Sequence, residues 1–314
     1  MKKICITGAN GFIGKSLCKS LINLKIPIIA LARSQNFFLN FLQTEQIQLG
    51  EFSLKSNLKE YFSKCHCVVH CAGKAYDNKL ELDEYNSANI KLTKKIAEYA
   101  VAAGVKRFIF LSTIKVNGES TNKNDKIKVF KHYHKPNPQD GYGISKFEAE
   151  KVLLDIALKT GLEVVIVRLP LVYGIDTKGN MKRLIKLINF RIPLPFKEIR
   201  NKRSLIGIDN LIDLIIRCIE HPNAAGKIFL ISDGKDLSTP ELIKHIASAM
   251  GQSVKLFSFP VSLLKFFGFI FRKQKEIGQL TGSLQIDISH TKEILNWSPP
   301  VSTEEGIRRM VQGK

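Results

Sequence analysis

Near the amino terminus, "KKICITGANGFIGKSLCKSL" runs from an apolar stretch into three glycines, Gly8, Gly11 and Gly14, and on into a pattern that predicts a helix from about Phe12 to Leu24. A glycine triplet between a strand and a helix constrains the fold more than any other feature of the chain. Glycine permits a sharp turn and close backbone approach, and the opening helix presents unpaired N–H groups and the positive end of its dipole. Such a turn suits the pyrophosphate of a dinucleotide, with Gly8, Asn10, Gly11, Phe12, Ile13 and Gly14 as candidate contacts.

The first half continues as alternating strands and helices: "PIIALA", "CVVHCAG", a helix across 84–103, "RFIFLST", a helix carrying Tyr142 and Lys146, and "EVVIVRLP". The strands are unbroken apolar runs, as expected when helices cover both faces of a sheet. An α/β fold follows, a doubly wound parallel sheet of the Rossmann kind over residues 1–170. Over residues 171–314 prolines are frequent and elements short, which predicts a smaller C-terminal substrate-binding region over the carboxyl ends of the strands. The stretch "KIFLISDG" (227–234) is expected to return to the main sheet as a strand. A chain of 314 residues with 44% hydrophobic content buries a sufficient core without covalent staples.

Three function classes are disfavoured. Six cysteines in this length make no disulfide scaffold. The cluster Cys65, His66, Cys67, His70 and Cys71 mimics metal ligands, but strand alternation sends 65, 67, 69 and 71 to one face and 66, 68 and 70 to the other, so no metal site is expected. The net charge of +20 comes from lysines scattered without a recognition module, which points to local phosphate sites and not to a nucleic-acid partner. There is no signal-peptide pattern, and "FSFPVSLLKFFGFIF" (257–271) is interrupted by Pro260, Lys265 and Gly268 and is short for a span. A cytoplasmic protein without stable membrane insertion is expected. Residues 261–273 are expected to be buried within the fold in preference to touching a membrane surface.

The Gly-x-x-Gly-x-x-Gly spacing, "HCAG" (70–73), "FLSTIKVNGE" (110–119), "YGISK" (142–146), "RLPLVYG" (168–174) and "LNWSPPVSTEEGI" (295–307) arrive in the order of the extended short-chain dehydrogenase/reductases. Over nearly its whole length the chain resembles their NAD-dependent epimerase/dehydratase family. The resemblance implies a bound NAD or NADP, with Ala72, Gly73 and Pro170 also bordering it. The second strand ends in Ala32 and Arg33 with no acid to accept from a ribose 2′-hydroxyl, which tilts the expectation toward NADP.

Tyr142 and Lys146 stand four apart and therefore on one helix face. Unit charges about 4 Å apart at an effective dielectric of about 20 interact by roughly 4 kcal/mol, enough to bring a phenol from near 10 toward 7. By resemblance Tyr142 is the catalytic acid/base, Lys146 holds the nicotinamide ribose, and Thr113 is the partner hydroxyl with Ser112 beside it. Asn117 replaces the family's usual tyrosine, and "STIKVNGE" looks like a subgroup of surface-polysaccharide enzymes acting on UDP-linked N-acetyl sugars. Asn180, Phe196 and Arg203 are the implied substrate contacts, and "GSLQID" (282–287) the lining of the same pocket. The first expectation is a UDP-4-keto-6-deoxy-N-acetylhexosamine 4-reductase. A UDP-glucose or UDP-N-acetylglucosamine 4-epimerase with retained NAD is the alternative, and a non-catalytic dinucleotide-sensing regulator the third. A homodimer paired through the Tyr142 helix is also implied.

Overall fold

Successive residues of a strand point to opposite faces, and in this chain both faces are apolar. Ile4 and Ile6 join one buried cluster and Cys5 the other; Val165 and Val167 likewise lie opposite Val164 and Ile166. The computed structural model describes residues 2–32, 44–48, 58–75, 81–121 and 128–313. The strands are β1 (Lys3–Thr7), β2 (Ile28–Ala32), β3 (Thr44–Gln48), β4 (Cys65–His70), β5 (Arg107–Thr113), β6 (Glu163–Leu169), β7 (Leu171–Tyr173), β8 (Leu205–Gly207) and β9 (Ile228–Leu230).

Seven of them form one sheet in the order β3-β2-β1-β4-β5-β6-β9, every neighbouring pair parallel. This is the doubly wound Rossmann arrangement. The order reverses between β1 and β4, which opens a crevice at the carboxyl ends of those two strands. Helices Phe12–Asn23 and Ile208–Glu220 cover one face; Leu58–Ser63, Leu92–Ala102 and Gly141–Thr160 cover the other. Within the stretch 227–234, Ile228–Leu230 pair with β6 at the sheet edge. Strands β7 and β8 pair separately and adjoin a second core, to which Tyr173, Met181, Phe196, Ile243 and Ile307 contribute.

Two expectations need correction. In β4 strict alternation fails: Lys3 pairs with Cys65 but Ile4 with Cys67, so a bulge absorbs His66. Cys65 consequently packs in the cluster of Cys5 and Cys67 in the opposite one, not on a shared face. Burial pushes the Cys5 and Cys67 thiols up, and Cys71 to about 12, so they are protonated small hydrophobes. Among the described residues no group of three His, Cys, Asp or Glu is placed to hold a metal ion.

The second correction concerns residues 261–273, expected to be buried. Helix Val261–Ile270 buries Leu264 and Gly268, whereas Phe266, Phe269 and Phe271 are 57%, 68% and 67% exposed. A helix apolar on every side has only one face to pack, and the rest of its rings remain in solvent. No described helix is long and apolar enough to cross a membrane.

Candidate active site

The glycine turn is built so tightly that side chains are excluded. Gly8 has φ +67°, and a Cβ there would lie 2.7 Å from the Ala72 backbone nitrogen; a Cβ on Gly14 would stand 2.2 Å from the Gly8 carbonyl oxygen. The helix that follows begins at Gly11 with no side-chain cap and no acid in its first turn, leaving its positive end open to an anion. Asn10 and Gly11 are exposed at the turn, Phe12 packs on the core and Ile13 reaches a neighbouring cavity. Ala72 and Gly73 follow β4 across the crevice, Gly73 at φ +153° with Asn89 Oδ1 only 2.8 Å from where its Cβ would stand. These residues fit a dinucleotide pyrophosphate. The NADP tilt rests on the absence of an acid at Ala32 and Arg33: Ala32 is buried at the end of β2, and Arg33 lies outside the described residues. Gly14→Ala is expected to cost about 1–3 kcal/mol of stability and to strip co-purifying dinucleotide, read by melting temperature and by nucleotide content after denaturation.

A buried network, not foreseen from sequence, holds this crevice in shape. Thr93 donates to the Asn89 carbonyl (2.6 Å), so its oxygen accepts from His70 Nε2 (3.0 Å), and His70 Nδ1 accepts from the Thr7 hydroxyl (2.7 Å), which itself accepts from the Ala72 N–H (3.3 Å). Burial, helped by Lys146, lowers the His70 pKa to about 3 and keeps the ring neutral, as this relay of donors requires. Asn89 sits in a π-helical turn, Asn86–Lys91, and ties Lys74 to helix Gly141–Thr160 by donating to Ser145 Oγ (3.0 Å) and accepting from the Lys74 N–H (2.9 Å).

The predicted catalytic side chains come from two elements. Ser112 and Thr113 end β5; Tyr142 and Lys146 stand one turn apart on helix Gly141–Thr160, whose first turn is capped by Asp140 accepting from the Gly143 N–H (2.7 Å). Thr113 is hydrogen-bonded to Tyr142. Ser112 instead donates to Glu150, which accepts two bonds from Arg168 (3.0 and 2.6 Å), and Arg168 donates to Asn117 (2.9 Å). The two hydroxyls thus face different partners. Asn117, read from sequence as a subgroup mark, is a buried anchor for an arginine.

The electrostatics of the pair differ from the sequence expectation. Tyr142 is not brought down toward 7: burial, then Asp140 and Tyr85, push its pKa up, against the hydrogen bond with Thr113. The reason is where the ammonium sits. Lys146 Nζ lies over the Phe110 ring, 4.2 Å from its centroid, and burial lowers the lysine itself to about 8, opposed by Glu150. A lysine with a depressed folded pKa carries its penalty at neutral pH, and stability rises as pH climbs from about 8 toward the unfolded value of about 10.4. Lys146→Met is therefore expected to stabilise the dinucleotide-free protein at pH 7 by roughly 1–3 kcal/mol, the lost Phe110 contact being the smaller quantity. A fall in melting temperature at pH 7 would contradict this reading.

Ser112, Thr113, Tyr142, Pro170, Asn180, Phe196 and Arg203 all line one cavity of about 500 Å³ between the sheet and the C-terminal region. Phe196 serves both as its wall and as part of the second core. Arg203 donates to the carbonyls of Gln279 (3.0 Å) and Gly282 (3.2 Å), and among the described residues no carboxylate pairs with it. Asn180 is exposed and donates to Gln279; from 282–287, Leu284 reaches the wall. Lys115 and Arg183, which the sequence reading did not single out, line it too.

The sequence profile of the NAD dependent epimerase/dehydratase family matches residues 4–232. UDP-glucose 4-epimerase of Vibrio cholerae is 41% identical over 99% of this chain and 95% of its own. N-acetyl-alpha-D-glucosaminyl-diphospho-ditrans,octacis-undecaprenol 4-epimerase of Escherichia coli O157:H7 is 24% identical over 85% of this chain and 78% of its own. In fold, the chain matches the crystal structure of UDP-glucuronic acid 4-epimerase from Bacillus cereus, in complex with UDP-glucuronic acid and NAD, with a TM-score of 0.79 at 23% identity, covering 99% and 98% of the two chains. By profile, by whole-length identity and by fold, this chain belongs to the NAD dependent epimerase/dehydratase family of extended short-chain dehydrogenase/reductase enzymes.

Proposed function

We propose that this protein is a UDP-sugar 4-epimerase that keeps NAD bound through turnover, with UDP-glucose or its N-acetylated counterpart as substrate. The observation that carries the reading is the 41% identity to a UDP-glucose 4-epimerase along essentially the whole chain. The 4-ketoreductase expectation and its NADP rested on the absence of an acid at Ala32 and Arg33; Ala32 is buried at the end of β2, and Arg33 lies outside the described residues.

When bound, NAD supplies reversible hydride acceptance and a positive charge on its oxidised ring. Tyr142 takes the proton of the sugar C4 hydroxyl and returns it to the same oxygen after the sugar has presented its other face. Thr113, bonded to the phenol, steadies that oxygen during both transfers. Lys146 holds the nicotinamide ribose. Arg203, bonded to two carbonyls and among the described residues to no carboxylate, grips the diphosphate, while Asn180 and Phe196 hold the rest of the UDP. The cavity falls in the ~300–1,000 Å³ range of small-molecule sites.

The test is incubation with UDP-glucose and no added cofactor. Formation of UDP-galactose, with NAD released on denaturation, is the expected result. Reduction of a 4-keto sugar that consumes added NADPH would restore the reductase, and binding without turnover would make the protein a sensor.

A further inference from the structure

The exposed aromatic patch around helix Val261–Ile270 is a single surface. Phe257 adjoins Phe259, Phe259 adjoins Phe267, and Phe267 adjoins both Phe266 and Phe271, with ring centroids 5.9–6.5 Å apart. Soluble monomers rarely leave so continuous an apolar surface uncovered. Its charge is predominantly basic. Between Glu241 and Glu276 the sequence contains no Asp or Glu, while Lys265, Arg272, Lys273 and Lys275 are exposed on or just after the helix, Lys273 facing Glu276 at 3.6 Å.

We propose that this patch seats the protein on an anionic lipid bilayer, the rings entering the headgroup–acyl boundary and the basic side chains meeting the lipid phosphates. Phenylalanines on a short surface helix with one lysine on it and three cations just after it make the composition of an interfacial anchor, and each cation near an anionic surface strengthens binding by about fivefold. Charge argues against a second copy as the occupant: two such faces brought together would oppose the same lysines and arginines. The patch also adjoins the cavity. Gly268 packs against Ile277 of helix Gln274–Thr281, and that helix contributes Glu276, Gln279 and Leu280 to the cavity wall. Seating would therefore bring the cavity wall close to the bilayer, whichever sugar the site takes.

The experiment is co-sedimentation of the full chain with vesicles of phosphatidylcholine alone or mixed with phosphatidylglycerol, at low and raised salt. Binding to the anionic vesicles is expected, weakened by salt. Combining Phe266→Asp with Phe269→Asp should reduce it by at least about tenfold, with melting temperature and soluble UDP-sugar turnover unchanged. Combining Lys265→Glu with Lys275→Glu should remove most of its salt dependence. Wild-type protein that stays in the supernatant with anionic vesicles, or a double aspartate variant that sediments like wild type, overturns the proposal. So does a vesicle-free assembly in sedimentation velocity that the aspartate variant dissolves, since that assigns the patch to another copy of the chain.

Discussion

Tyr142→Phe is expected to lower kcat for UDP-glucose epimerisation by about 10²–10⁴, the usual contribution of a positioned acid/base, with KM nearly unchanged. Phenylalanine keeps the ring, its 5.9 Å packing on Tyr85 and the cavity wall, and removes only the oxygen that carries the proton. In this dinucleotide-free structure burial and Asp140 hold the phenol above its ordinary pKa, so it is protonated at neutral pH and must give up that proton before it can take one from the sugar. Acting as the base requires a positive charge that Lys146, lying over Phe110, does not provide here. The phenol should then titrate lower in the NAD-loaded protein than in the stripped protein, a shift that ultraviolet difference titration reads and Tyr142→Phe abolishes. Two neighbours sharpen the test. Thr113→Val should slow turnover by roughly 10–100-fold, because it removes the partner hydroxyl. Ser112→Ala should act chiefly on stability, because that hydroxyl is given to Glu150. A Tyr142→Phe enzyme that retained more than about a tenth of wild-type kcat would remove Tyr142 from the proton-transfer role.

The parts of the fold that sequence foretells are those set by local chemistry. The glycine turn is legible because its geometry excludes side chains within a few residues, and the strands because burial on both faces leaves an unbroken apolar run. Tyr142 and Lys146 are legible as a pair because helical spacing alone brings them onto one face. Their energetics are not, since the location of the ammonium depends on Phe110, from a strand distant in sequence. The Thr7–His70–Thr93 relay and the Ser112–Glu150–Arg168–Asn117 chain are invisible for the same reason: each joins residues from several elements that meet only in the folded sheet. The bulge at His66 defeated alternation because one inserted residue reverses the phase of everything before it. The phenylalanine-rich helix misled in a different way. Its composition asks for burial, and nothing in the sequence says how much partner surface the fold supplies.

Glu150→Leu is expected to destabilise the protein by about 3–5 kcal/mol, because it leaves the Arg168 cation in the core without its carboxylate. Glu150 and Arg168 are 1% and 2% exposed, and the guanidinium meets both carboxylate oxygens while its third bond goes to Asn117. Water cannot reach the orphaned charge, and Asn117 offers one neutral acceptor in its place. Glu150→Gln should cost less, since one carbonyl oxygen still accepts, but its amide would turn N–H groups toward N–H groups. Combining Glu150→Leu with Arg168→Met should recover most of the loss, because an apolar pair of similar volume carries no desolvation penalty. Denaturant titration of the four proteins in that double-mutant cycle measures the coupling directly. The same carboxylate supports the lysine one turn before it, as its charge opposes the burial that lowers Lys146 to about 8. In Glu150→Gln the lysine should lose its proton at lower pH, and the alkaline limb of the kcat/KM profile should move down with it. A coupling energy near zero, or an alkaline limb that stays in place, would mean that the buried pair neither holds the core together nor tunes the lysine. The two readouts separate those roles, because the first is measured without substrate and the second only through turnover.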